Sequence, residues 1–215
     1  MEAHLRAGIA IYNAGQYHAA HDAWEDHWLA LESGTDDEVF LHGLIQFTAA
    51  IYHAHNGNWA GATGLAVSAR EYLAPLSGTY RGVNVDAVRS ALATLATDPE
   101  VIERRRPLML THDGEALGYD SLGFEATCIA SVVLAEELGY DESVLERATT
   151  YARQDLDAGQ TESPFVTFVF DFVREPKQRD IIVTRLREHV ERRQHRDDDV
   201  AGLFADRESS EQQQK

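Results

Sequence analysis

Four polar side chains have types and spacing that could do chemistry: His21, Glu25, Gln46 and His53. His21 and Glu25 are four apart, so on a helix they share a face and their side chains can meet. Gln46 and His53 are seven apart, two turns along one face of a second helix. Asp22 adjoins His21, and Tyr17, Trp24 and Trp28 recur around them at helical spacing. Two kinds of chemistry fit this set. Closed off from water, imidazole, carboxylate and amide form a hydrogen-bonded core or a small-ligand pocket, since each left unpaired costs roughly 1–3 kcal/mol. Open to water, two imidazoles and a carboxylate are a competent ligand set for zinc or a similar ion. The zincin pattern H-E-x-x-H is absent, because Asp22 follows His21 and position 25 holds Glu25. The candidate ligand-binding residues are therefore His21, Asp22, Glu25, Trp28, Gln46 and His53, with no catalytic residue, metal or cofactor assigned by motif.

The elements that must hold these residues are helices. Residues 3 to 14 carry Leu5, Ile9 and Tyr12 on one face and stop at Asn13-Ala14-Gly15. In residues 16 to 32, Tyr17, His21, Trp24, Trp28 and Leu31 form one stripe expected to face inward. Thr35 to Glu38 fits a capping box, with Glu38 reaching back. The helix it opens, 37 to 56, is apolar on most sides and should be central. Only about four residues join these two helices, so they should pack antiparallel. In such a hairpin facing residues have numbers summing to about 70. That register sets Trp28 near His42, Glu25 near Gln46, and Tyr17 and His18 near His53, with Ala49 and Ala50 leaving room between.

Further helices are expected at 58 to 74, at 84 to 96, and in a short turn through Arg104-Arg105-Arg106. His112 to Gly118 reads as a linker and the best internal boundary. Beyond it lie helices at 121 to 138 and 141 to 156, the second capped by Asp141. The segment from 164 to 173, PFVTFVFDFV, has strand-like content. Its Ser163-Pro164 start favours a helix, which is the reading adopted. A last helix opens at Pro176 and runs to about Gln194, with Ile182, Leu186 and Val190 on its apolar side. The fold class is all-α, an array of about eight or nine helices built from antiparallel helical hairpins. The expected organisation is a core at 3–110, a C-terminal helical extension at 119–195, and a mostly disordered tail at 196–215 in which Val200, Leu203 and Phe204 can dock as one turn.

Composition narrows the function classes. The chain has 36 acidic and 19 basic residues, a net charge of −17. Only Lys177 and Lys215 are lysines. Such an excess repels itself unless screened, and in about 1 M salt the Debye length falls to ~3 Å. The balance points to a halophile-type acidic protein and away from nucleic acid, whose binding rests on phosphate contacts that weaken with salt. Arg104 to Arg106 and the arginines after Pro176 read as partners of an acidic body. No apolar run is long enough for a membrane span, and the first residues do not read as a signal peptide. A single Cys128 forms no internal disulfide, so a reducing cytoplasm is the expected compartment.

Ala20-His21-Asp22, Glu25 and Trp28, then Gly43-Leu44-Ile45-Gln46, then His53, Gly57-Asn58 and Gly61-Ala62, resemble the domain of unknown function 309 family. Its usual pattern is A-H-E-x-x-E-x-x-W, G-L-I-Q and H-x-x-x-G-N-x-x-G-A. The resemblance covers about residues 8–75 and fades by 110; Asp22 replaces the usual glutamate, keeping the charge but shortening the reach. It implies a small helical array and no established activity. The function is thus that of an unassigned helical protein whose His/Glu/Gln cluster binds a small ligand or serves as a structural core. The alternatives are a metal-dependent hydrolase-like enzyme and a helical adaptor for a protein partner. In the enzyme, His21, Glu25 and His53 would hold the ion and Asp22 or His18 would act as base. A homo-oligomer is compatible with all three.

Overall fold

The computed structural model describes the backbone of residues 1–212 and the side chains of residues 1–199. Ten α-helices, two short 3-10 helices and one hairpin of two-residue strands make up the regular structure of that range, an all-α fold. No helix among the described residues is long and apolar enough to cross a membrane. The chain divides into two compact units, the first ending at Leu138 and the second beginning at Gly139.

In the first unit, α1 (Glu2–Asn13), α2 (Tyr17–Leu29), α3 (Asp36–His55), α4 (Trp59–Leu73) and α5 (Val85–Thr97) each pack against the next. Helix α3 is central, as its all-round apolar sequence requires: Phe40, Leu41, Leu44, Phe47, Ala50 and Ile51 are buried on several sides. Two glycines inside helices admit a side chain of a neighbouring helix. A Cβ on Gly8 would lie 2.1 Å from the indole nitrogen of Trp24, and one on Gly43 would lie 2.6 Å from Leu73. The inward face of α2 is Ala19, Ala20, Ala23 and Trp24. The expected stripe is thereby corrected: only Trp24 of that set is buried, and Tyr17, His21, Trp28 and Leu31 are half-buried at its margin. Small alanines let α2 sit close to its neighbours, and the larger side chains are pushed to the rim.

The stretch expected to be a linker is a hairpin of β1 (Thr111–His112) and β2 (Glu115–Ala116). Asp113 and Gly114 both adopt positive φ, 51° and 84°, which is the two-residue Asp-Gly turn of a twisted hairpin. Asn13 fixes it to the end of α1. Its amide nitrogen donates to the carbonyls of Leu110 and Leu117, and its carbonyl accepts from the Leu110 N–H, all at 2.9 Å. Helix α7 (Phe124–Glu137) follows and packs on α1 and α2. The compact first unit therefore extends past 110 to Leu138, because α7 supplies a wall for the N-terminal helices.

The second unit contains α8 (Glu142–Asp157), α9 (Pro164–Arg174) and α10 (Arg179–Gln212), each packed on the other two. Helix α9 is the segment of ambiguous composition. Ser163 caps it, accepting from the Val166 N–H at 3.4 Å, and Pro164 occupies its first turn. Phe165, Val169, Phe172 and Val173 then fall on one buried face at helical spacing. Ile182, Leu186 and Val190 are buried on α10 as expected. That helix does not end near Gln194 but continues to Gln212, through the polar stretch read as a tail. The docking of Val200, Leu203 and Phe204 lies outside the residues whose side chains are described, as do residues 213–215 altogether.

Candidate functional site

Helix α2 carries the chemistry on its polar side. His18 and Asp22, and His21 and Glu25, are i,i+4 pairs, so the helix alone fixes each within a turn. His18 Nδ1 lies 3.3 Å from Asp22 Oδ2, and His21 Nε2 lies 3.7 Å from Glu25 Oε1. Helix α7 adds a fifth group, Glu137, whose Oε2 accepts from His18 Nδ1 at 2.9 Å. Two overlapping sets of possible metal ligands result, His18/Asp22/Glu137 and His21/Asp22/Glu25, each with ligand atoms within 4.8 Å of one another. Asp22 belongs to both. Bonds of ~2.1 Å place two ligands of one ion at most about 4 Å apart, close to the spread of either set.

Burial and the mixed charges of the cluster both act on its titratable groups. Burial raises the Asp22 carboxyl above its usual range; His18 and His21 pull it down, while Glu136 and Glu137 add to the rise. For His18, burial acts to lower the pKa, but the Glu137 hydrogen bond and the charges of Asp22, Glu137 and Glu136 together raise it. His18 is exposed, and His21, Asp22 and Glu25 are half-buried. The cluster therefore faces solvent at the α2/α7 edge and is not a sealed core network.

The α2–α3 register expected from the short connection is present. Trp28 and His42 meet with ring centroids 4.6 Å apart, His18 faces Tyr52 at 5.8 Å, and Tyr17 stacks on His55 at 5.1 Å. The partners of Gln46 and His53 differ from expectation. Gln46 Nε2 donates to His42 Nε2 at 3.0 Å, one turn back on its own helix. His53 Nδ1 accepts from Asn58 Nδ2 at 2.9 Å, and Asn58 Oδ1 caps α4 by accepting from the Gly61 N–H. Neither is in a metal-competent group. His53 is thus spent on a helix boundary, and the second imidazole beside Asp22 is His18.

Gln46 and Trp28 instead belong to a second polar string that sequence reasoning missed. Trp28 Nε1–H donates to Glu38 Oε1 at 2.9 Å, and the Gly34 N–H donates to Glu38 Oε2 at 3.2 Å. Thr35 caps α3 as expected, but Glu38 turns to these donors and not to the Thr35 amide. His42 Nδ1 is 3.7 Å from Glu38, and its ring lies against both Trp28 and Tyr72, the latter 4.0 Å away between centroids. The signal was present as Glu38-x-x-x-His42-x-x-x-Gln46, one ridge of α3. Glu137 had no local signal, being 119 residues from His18.

A histidine pair at the α1/α2 contact is set up differently. His4 stacks on His27 at 4.8 Å, and His4 Nδ1–H donates to the Ala23 carbonyl at 3.2 Å. Burial lowers the pKa of both rings. The Ala23 bond partly opposes this for His4, and the amino-terminal charge and His4 itself add to it for His27; Asp26 and Asp37 pull the other way. A histidine depressed in the folded state stabilises above its unfolded pKa, and that contribution is lost as pH falls through the folded value. Stability should therefore drop through this pair on acidification below about pH 6.5, the ordinary histidine value. The raised His18 contributes with the opposite sign, so the comparison to make is between variants. His27→Gln should show a shallower acid-side decline in thermal midpoint than the wild type, and equal slopes would refute the assignment.

Fold and site together define a helical protein with a solvent-facing histidine–carboxylate edge. Residues 5–65 match the family described as Domain of unknown function (DUF309). The match spans α1 to the middle of α4 and contains His18, His21, Asp22 and Glu25, but not Glu137. No curated protein matches the chain. The family description assigns no biochemical role.

Proposed function

We propose that the first unit is a metal-binding module and that its site is the edge formed by His18, His21, Asp22 and Glu25 of α2 with Glu137 of α7. The observation that carries this reading is the sharing of Asp22 by two three-ligand sets. Imidazole with carboxylate suits zinc, manganese or a similar divalent ion. The half-exposed setting leaves coordination positions for water, so metal-assisted hydrolysis is the chemistry such a site would support. A bound cation would favour the ionised form of the Asp22 carboxyl, which burial first and Glu136 and Glu137 next hold above its usual range. The acidic composition, 36 acids against 19 bases, suits a salt-loaded cytoplasm and argues against a nucleic-acid partner.

Calorimetric titration of the chelator-stripped protein with Zn²⁺ or Mn²⁺ tests this. Saturable binding is expected, and Asp22→Asn should weaken it by about 100-fold or more, since even supporting residues of metal sites cost 10–100-fold. His53→Ala should leave binding unchanged. Absence of saturable binding below about 1 mM would reject the module. A second reading is supported by the 2.9 Å His18–Glu137 bond, which ties α2 to α7 without any ion. Under that reading Glu137→Gln lowers the thermal midpoint equally with and without added metal.

A further inference from the structure

The first unit contains an apolar cleft of about 180 Å³ on a side chemically unlike the α2 edge. Helix α6 (Val101–Arg104) packs against α3 and α5, and the chain leaves it in extended conformation toward Pro107. Ile51 of α3, Ala91 and Leu95 of α5, and Ile102 of α6 line the cleft. Ile51 and Leu95 are buried, so the floor is made of core residues. The same cleft is lined by Arg105 and Arg106, both exposed.

What sets these two arginines apart is their place at the cleft mouth, since other exposed arginines such as Arg70 also lack an ion pair among the described residues. Their neighbour Arg104 pairs with Asp98 and Glu100. Arg81 pairs with Asp37, and Arg89 with Asp86. Arg105 and Arg106 make no ion pair among the described residues, although the chain carries a net charge of −17. Arg105 ends α6 in extended conformation and Pro107 biases Arg106 away from helical backbone, so neither residue continues the helix. A guanidinium is built to take a carboxylate in a planar fork. Two such groups without partners beside an apolar hollow match the head and the tail of one amphipathic anion.

We propose that this cleft binds a small monocarboxylate with an apolar tail, the carboxylate held by Arg105 and Arg106 and the tail lying against Ile51, Ala91, Leu95 and Ile102. The volume is below the roughly 300–1,000 Å³ of drug-sized pockets, which selects a short chain. The site is independent of the metal proposal, since it shares no residue with the α2 edge.

Straight-chain carboxylates from butanoate to dodecanoate, titrated calorimetrically into the full chain at constant ionic strength, test the proposal. Affinity should rise by about fourfold per added methylene and then level off once the cleft is filled. 1-Octanol should bind at least about tenfold more weakly than octanoate, the worth of a lost charge-assisted contact. The double variant Arg105→Gln/Arg106→Gln should lower octanoate affinity to the level of the alcohol. Arg70→Gln, which removes an exposed charge on α4, should not, and so controls for net charge. Ala91→Leu, which fills the hollow, should abolish octanoate binding. Equal affinity for octanol and octanoate, full binding by Ala91→Leu, an equal loss in Arg70→Gln, or no octanoate binding in the wild type would each overturn the proposal.

Discussion

Replacing Trp24 by alanine is expected to cost about 3–5 kcal/mol of stability, the range for emptying a large buried aromatic site. Trp24 is fully buried, and its indole lies across α1 where Gly8 leaves out a side chain. Its Nε1–H points at the Leu5 carbonyl, 3.4 Å away. The same contact makes Gly8→Ala informative. In an isolated helix that change gains ~1 kcal/mol. Here the new methyl would sit 2.1 Å from the indole nitrogen, a distance no Cβ tolerates, and overpacking costs about 1–3 kcal/mol. Gly8→Ala should therefore destabilise in the wild type and become neutral or stabilising in a Trp24→Leu background. Urea unfolding followed by circular dichroism reads the cycle. Additive effects of the two changes would mean that Gly8 and Trp24 do not constrain each other.

The second large effect is expected in the second unit, at Asp155. Its side chain is 1% exposed and accepts from Ser163 Oγ at 2.7 Å and from Arg193 Nη1 at 3.1 Å. It thereby joins α8 to the cap of α9 and to α10. Asp155→Ala leaves the buried Ser163 hydroxyl without its acceptor and takes from the half-buried Arg193 one of its two carboxylate partners, Asp197 being the other, which should cost about 2–4 kcal/mol. Asp155→Asn keeps an acceptor for Ser163 and should cost less. All three tryptophans, Trp24, Trp28 and Trp59, lie in the first unit, so loss of helical circular dichroism is the appropriate probe. Equal stability of Asp155→Ala and wild type would show that solvent satisfies Ser163 and Arg193 equally well.

Much of the frame was legible in the chain because helices are local. The stop at Gly15, the Thr35 cap and the Ser163-Pro164 start each act within a few residues, and each bounds a helix as expected. The short link after α2 set the α2–α3 register well enough to bring Trp28 to His42. The His21–Glu25 pair was readable for the same reason, since both ends sit on one turn-to-turn ridge. The Asp113-Gly114 hairpin was readable too, but the polar surroundings of that dipeptide hid it as a linker.

What the sequence by itself determined is the set of helices, one hairpin register and the i,i+4 pairs of α2, because backbone geometry fixes neighbours within one or two turns. Tertiary structure decided which polar groups share a site. It brought Glu137 of α7 to His18, gave Gln46 to His42, and assigned His53 to the cap residue Asn58. It also turned α2 so that alanines and Trp24 face inward, which left His21, Asp22 and Glu25 at the solvent edge. That rotation follows from close packing against α1: Gly8 admits the indole of Trp24, and once that ring is seated the polar side of α2 faces outward.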